Sequence, residues 1–90
     1  MMSLVYLVLQ DNDNARYLVD GITHDNPHAV VQHQPAMIRI EAEGRLEIRR
    51  DTMEERLGRA WDVQEMLLDV ITIGGSVDED DDAFVLEWKN

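Results

Sequence analysis

The tightest constraint in the chain is the run Leu4-Val5-Tyr6-Leu7-Val8-Leu9, six apolar or aromatic residues in succession. A stretch this short, rich in β-branched and aromatic side chains, reads as a strand covered on both faces. Such a strand must be enclosed by other elements, so a layered fold follows. The whole chain has 90 residues, which predicts one domain spanning residues 1–90. At that size only about 60–65% of the unfolded surface can be buried, so the enclosing core is small.

The rest of the pattern supplies the layers. Asp13 is a fair N-cap, and Ala15, Leu18, Val19 and Ile22 then recur at i, i+3, i+4 and i+7, the stripe of an amphipathic helix. Asn26-Pro27 ends it, because the residue before proline avoids the α region. Ala29 to Gln32 reads as a second strand. Met37 to Glu41 alternates, with Ile38 and Ile40 on one face, and Leu46 and Ile48 alternate with Arg45, Glu47 and Arg49. The Glu43-Gly44 turn between these two stretches predicts a hairpin. Thr52-x-x-Glu55 is a capping box that predicts a helix start, with Met53, Leu57, Ala60 and Trp61 as its stripe, and Asp62-x-x-Glu65 is a weaker second cap. Leu67 to Ile73 reads as a strand broken by Gly74-Gly75, Asp78 to Asp82 as a solvated acidic loop, and Phe84, Leu86 and Trp88 as one face of a last strand alternating with Val85, Glu87 and Lys89. The order predicts a compact α/β or α+β domain with helices packed against curved sheet.

Charge narrows the function. The chain holds 19 acidic and 8 basic side chains, a net charge of −11. Residues 1–50 carry 7 acids and 5 bases, whereas residues 51–90 carry 12 acids and 3 bases, so the excess sits in the second half. Nucleic-acid binding needs clustered Lys and Arg, which is excluded here. The acidic excess fits either a partner with a basic surface or plain solubility. No apolar stretch approaches the ~20 residues of a membrane span. Met1 to Asp13 lacks the basic start and small-residue cleavage site of a signal peptide, so a cytoplasmic location is expected. The absence of cysteine excludes a disulfide framework, a thiolate zinc site and a cysteine nucleophile.

No constellation for catalysis, metal or cofactor emerges. The serines are Ser3 and Ser76, without a Gly-x-Ser-x-Gly elbow, and the five glycines make neither a phosphate loop nor a dinucleotide fingerprint. His24 and His28 are four apart, but Asn26-Pro27 denies them a shared helical face, so surface histidines are the plain reading. Asp78, Asp80 and Asp82 match the first positions of a calcium loop, yet Ala83 stands where its glycine should be and Lys89 where its bidentate glutamate should be. Glu54-Glu55 sits at a helix start, where carboxylates favour the helix dipole. Trp61 and Trp88 fit either a core or a binding hot spot. Arg49-Arg50 is a small basic spot that either pairs with nearby acids or docks onto a partner.

Five segments taken in order carry a resemblance: ARYLVDGITHDNPHAVV, PAMIRI, GRLEIRR, EERLGRAWDVQEM and TIGGSVDEDDDAFVLEW. Together they resemble the effector (coupling) proteins of bacterial multicomponent diiron monooxygenases, and within them the phenol hydroxylase branch, over about Leu4 to Trp88. The resemblance implies a cofactor-free protein in which two sheets form a corner filled by two to three helices. It implies no catalytic residue of its own, binding to a separate multi-subunit diiron hydroxylase, and a functional link to an NADH-dependent flavin/iron–sulfur reductase. It also implies a hydroxylase-docking role for Ile71, Thr72, Ile73, Gly74 and Gly75, a stretch that equally reads as ordinary core strand at Ile71 and Ile73. Arg49 and Arg50 join these as candidate docking residues. A different class of function, an acidic inhibitor or DNA mimic, is the alternative that the charge alone allows.

Overall fold

The computed structural model describes residues 3–88. The elements run β1 (Leu4–Gln10), α1 (Asp13–Asp25), β2 (Val30–Gln34), β3 (Met37–Glu43), β4 (Arg45–Arg49), α2 (Arg50–Leu57), α3 (Val63–Leu67), β5 (Val70–Gly74), β6 (Ser76–Glu79) and β7 (Ala83–Glu87). They form two antiparallel sheets, one in the order β2-β3-β1-β5 and one in the order β4-β7-β6. The core lies between them. Val5, Leu7 and Leu9 lie beside Ile38 and Ile40 on the inner face of the first sheet, Leu46, Ile48, Phe84 and Leu86 come from the second, and Leu18, Ile22, Met53 and Met66 fill the corner from the helices. This is the α+β corner implied by the resemblance.

The β1 run is enclosed on one face only. Leu4, Gln10, Val30, Gln32, Glu43 and Thr72, which point away from the core, are all exposed. Val8, on the same outward side, is nevertheless buried.

Helix α1 forms as its stripe predicts, burying Ala15, Leu18, Gly21 and Ile22, but its cap is Asn12 rather than Asp13. Asn12 Oδ1 accepts from the Ala15 amide at 2.8 Å. At the other end Asn26 is buried, and its side chain does three jobs. Nδ2 donates to the carbonyls of Ile22 (2.7 Å) and Glu47 (2.6 Å), while Oδ1 accepts from the Glu47 amide (3.0 Å). A side-chain amide thereby substitutes for a neighbouring strand along the free edge of β4. Gly21 is a contact point: a Cβ there would collide with Met53 Sδ, so the glycine lets α2 approach α1.

Further expectations are corrected. The hairpin predicted across Glu43-Gly44 does not exist: β3 pairs with β1 and β2, β4 pairs with β7, and Gly44 (φ 81°) carries the chain from one sheet to the other. The hairpin in this region is β2–β3, and β2 starts one residue later and ends two later than predicted. The Thr52/Glu55 box is not made, because α2 begins at Arg50, whose amide already donates to the Asp82 carbonyl at 2.8 Å, and Thr52 is inside the first turn. The box forms instead at Asp62 and Glu65. Helix α2 stops at Gly58 (φ 70°), so Ala60 and Trp61 lie beyond it, although Trp61 still reaches the core.

The last correction concerns the C-terminal third. Leu67 belongs to α3, β5 begins at Val70, and Asp78 and Glu79 are not loop but the end of an unforeseen strand, β6, paired with Val85 and Phe84. An edge strand tolerates such acids because their carboxylates stay in water. Only residues 80–82 form the turn, where Asp80 Oδ1 accepts from the amides of Asp82 (2.8 Å) and Ala83 (2.9 Å). Trp88 follows β7 and is half exposed rather than core, and Lys89 lies outside the described residues.

Candidate docking surface

The segment Ile71–Gly75 starts from a fixed point. The Gln10 amide donates to the Asp69 carbonyl at 2.8 Å, and the Asp69 carboxylate accepts from Asn12 Nδ2 and Asn14 Nδ2, both at 2.9 Å. This ties the entry to β5 onto the first turn of α1. β5 is an edge strand, and its pairing with β1 jumps from Val8↔Thr72 to Leu9↔Val70, which leaves Ile71 at the break. The two isoleucines separate as a result. Ile73 sits opposite Leu7 against the core, while Ile71 is exposed beside exposed Thr72. Gly74 is buried under the ring of Tyr6, which occupies the space a Cβ would need. Gly75 (φ 140°) then turns the chain into β6.

Arg49 and Arg50 lie at the end of β4 and the start of α2, on the other sheet, and both are held by acids of this chain. Arg49 makes a forked contact to Asp51, Nε to Oδ1 at 3.1 Å and Nη2 to Oδ2 at 3.2 Å, and its Nη1 lies 3.6 Å from Glu47. The fork raises the Arg49 pKa and holds the Asp51 carboxyl below its ordinary range. Arg50 Nε is 3.5 Å from Glu54. The candidate docking residues therefore divide between two sheets, and the arginine half is engaged internally.

The outer faces of the sheets differ in kind. On the four-stranded sheet, Arg39 places its guanidinium 4.1 Å from the centre of the Tyr6 ring and donates from Nε to Glu41 at 2.9 Å. Glu41, Arg39, Tyr6 and Gly74 thus form one stacked array. On the three-stranded sheet the outer face is a ladder of exposed ion pairs: Arg45 to Glu47 at 2.9 Å, Arg45 to Glu87 at 3.8 Å, and Arg49 to Glu47 and Asp51.

Several exposed apolar side chains escape sequence reasoning. Leu4 and Val30 belong to runs that look like core, and Leu68, the most exposed large hydrophobic at 80%, lies inside the apolar stretch 67–73. Periodicity does not separate an edge or outer face from an inner one, so no signal in the sequence marks them. His24, His28 and His33 are exposed, and His28 Nε2 lies 3.1 Å from the Arg45 carbonyl oxygen. Among the described residues no group of three or more His, Cys, Asp or Glu side chains is arranged to hold a metal ion, and no helix is long and apolar enough to cross a membrane. What the surface offers is shape, apolar contact and paired charge, the materials of protein recognition.

Comparison with known proteins gives the same direction. The chain is 81% identical, over the full length of both, to the stimulatory component DmpM of phenol 2-monooxygenase from Pseudomonas sp. (strain CF600). It is similar to a chain in a structure of a phenol hydroxylase–regulatory protein complex, at 66% identity and a TM-score of 0.94, covering 97% of this chain and all of that one. It is also similar to the soluble methane monooxygenase regulatory protein B, at 26% identity and a TM-score of 0.76, covering 96% of this chain and 65% of that one. The MmoB/DmpM family model matches residues 3–87. With a match over nearly the whole sequence and the same fold, the chain belongs to the MmoB/DmpM family.

Proposed function

We propose that this protein is the non-catalytic regulatory component of a bacterial multicomponent phenol hydroxylase. It binds the diiron hydroxylase and couples electrons from an NADH-dependent reductase, and oxygen activation, to hydroxylation of the aromatic ring. The observation that carries this reading is the full-length 81% identity to a phenol monooxygenase stimulatory component. The structure of a complex containing a chain 66% identical to this one supports the mode of action, direct binding. In this reading all the components share the cytoplasm, and residues Ile71 to Gly75 contribute to docking, with Ile71 and Thr72 supplying the exposed side chains.

A protein with no reactive group of its own can change a rate only by binding one state of its partner more tightly than another. A preference of about 1.4 kcal/mol moves such an equilibrium tenfold. Linkage makes the effect reciprocal, so substrate or the oxidation state of the irons alters how tightly the hydroxylase holds this protein. The test is reconstitution. Phenol turned over per NADH consumed is measured with hydroxylase and reductase, with and without this protein. Both the rate and the coupling ratio rise as it approaches stoichiometry, and no change at stoichiometric protein would reject the reading.

A further inference from the structure

We propose that the uncovered face of the four-stranded sheet is the surface that meets the hydroxylase, and that a recess at its Leu4–Val30 end receives a lysine or arginine side chain of that partner. This rests on the hydroxylase reading above and specifies which face acts.

The first support is charge. The outward side chains of β1, β2, β3 and β5 include only three charged groups, Arg39, Glu41 and Glu43, and the first two are already paired at 2.9 Å. The outward face of the other sheet carries Arg45, Glu47, Arg49, Asp78 and Glu87. Charges removed from water cost free energy unless they are well paired, and the centres of interfaces are depleted in them. The four-stranded sheet is therefore the face that is cheaper to cover.

The second support is the recess itself. Register sets Leu4 opposite Glu43 and Val30 opposite Glu41, so two carboxylates stand between two exposed aliphatic side chains. Leu4, His28, Val30, Glu41, Ala42 and Glu43 line the hollow they make. The half-exposed Trp88 indole donates to the carbonyl of Leu4, one of the lining residues, at 2.9 Å. Exposed tryptophan held in one orientation is typical of binding hot spots.

The third support selects the occupant. Glu41 is engaged by Arg39, whereas Glu43 is exposed and makes no ion pair among the described residues. An apolar side chain entering here would strip water from Glu43 and offer nothing in return, and an acidic one would be repelled. A long basic side chain satisfies both halves of the site, its methylenes on Leu4 and Val30 and its cation at Glu43. The net charge of −11 favours the approach of such a partner.

Binding to the intact hydroxylase by calorimetry, at low and at moderate salt, tests this in the full chain. Glu43→Gln weakens binding about tenfold and flattens its salt dependence, and Glu43→Lys weakens it further. Val30→Ser weakens binding about threefold or more, reporting the apolar half of the contact. Asp78→Asn, which removes the same unit of charge from the other sheet, stays within about twofold of the unmodified protein and so controls for long-range attraction. Circular dichroism shows that each variant is folded. If both Glu43→Gln and Val30→Ser bind as the unmodified protein does, the face is wrong. If they change sedimentation of the free protein and leave hydroxylase binding intact, the recess serves a second copy of this chain and the proposal falls. If the unmodified protein itself fails to bind the hydroxylase, the regulatory reading has failed instead.

Discussion

The two sheets share one core and solve the problem of an exposed outer face in opposite ways. The three-stranded sheet covers itself with ion pairs between long side chains on adjacent positions, and the side chain of Asn26 occupies the free edge of its strand β4. The four-stranded sheet covers itself with one flat array, Tyr6 on Gly74 with Arg39 above, and leaves its β5 edge and its Leu4–Val30 end open. Exposed ion pairs are individually worth little, because water competes for each charge. A ring pressed onto a glycine removes apolar surface from water and is worth more. One sheet is thus finished by the chain itself, and the other keeps surface in reserve.

Removing the edge cover should have the largest effect. Asn26→Ala strips three hydrogen bonds and leaves the Glu47 amide and carbonyl without their partner, at a cost of about 3 kcal/mol in urea unfolding. Next comes Gly74→Ala, whose methyl displaces the Tyr6 ring, at about 2 kcal/mol. In a Tyr6→Ser background the same substitution should cost almost nothing, and a double-mutant cycle without that coupling would break the picture of a packed array. Arg39→Gln should cost about 1 kcal/mol, since the guanidinium lies on the Tyr6 ring and is held by Glu41, while Arg45→Gln on the ion-pair ladder should cost less than about 0.5 kcal/mol. Equal costs would erase the distinction between the sheets.

The smallest effect is with pH. The Asp62 amide and then Arg59 hold the Glu65 carboxyl below its ordinary range. A depressed carboxyl contributes stability above its unfolded pKa of about 4.3 that is lost as pH falls through the lower folded value. Glu65→Gln keeps the neutral half of the capping box. Its unfolding free energy should therefore fall less steeply than that of the unmodified protein as pH drops from about 5 to 3.

Legibility in the sequence followed the local rules and stopped where partners had to be chosen. The stripe of α1, the alternation of β3 and β4 and the inward Phe84 and Leu86 are each written in residues three, four or two apart. That β3 and β4 belong to different sheets is not, since alternation continues unbroken through Gly44 on either arrangement. The choice between two capping boxes also depended on a distant residue, because the Asp82 carbonyl occupies the Arg50 amide and moves the helix start. The candidate docking stretch Ile71–Gly75 rests on resemblance. The separation of exposed Ile71 from core-facing Ile73 came from a register break that no pattern of residue types announces.

The passages between sheets at Gly44 and Gly75 carry a consequence for how this architecture can vary. Each is a single residue joining two strands, with a backbone angle that favours glycine. Because neighbouring strand residues point to opposite sides, one inserted or deleted residue at Gly44 would turn Leu46 and Ile48, the buried residues of β4, toward water, and one at Gly75 would upset the register of β6 against β7. A change of length should therefore be tolerated better in the exposed acidic turn at residues 80–82 than at either joint.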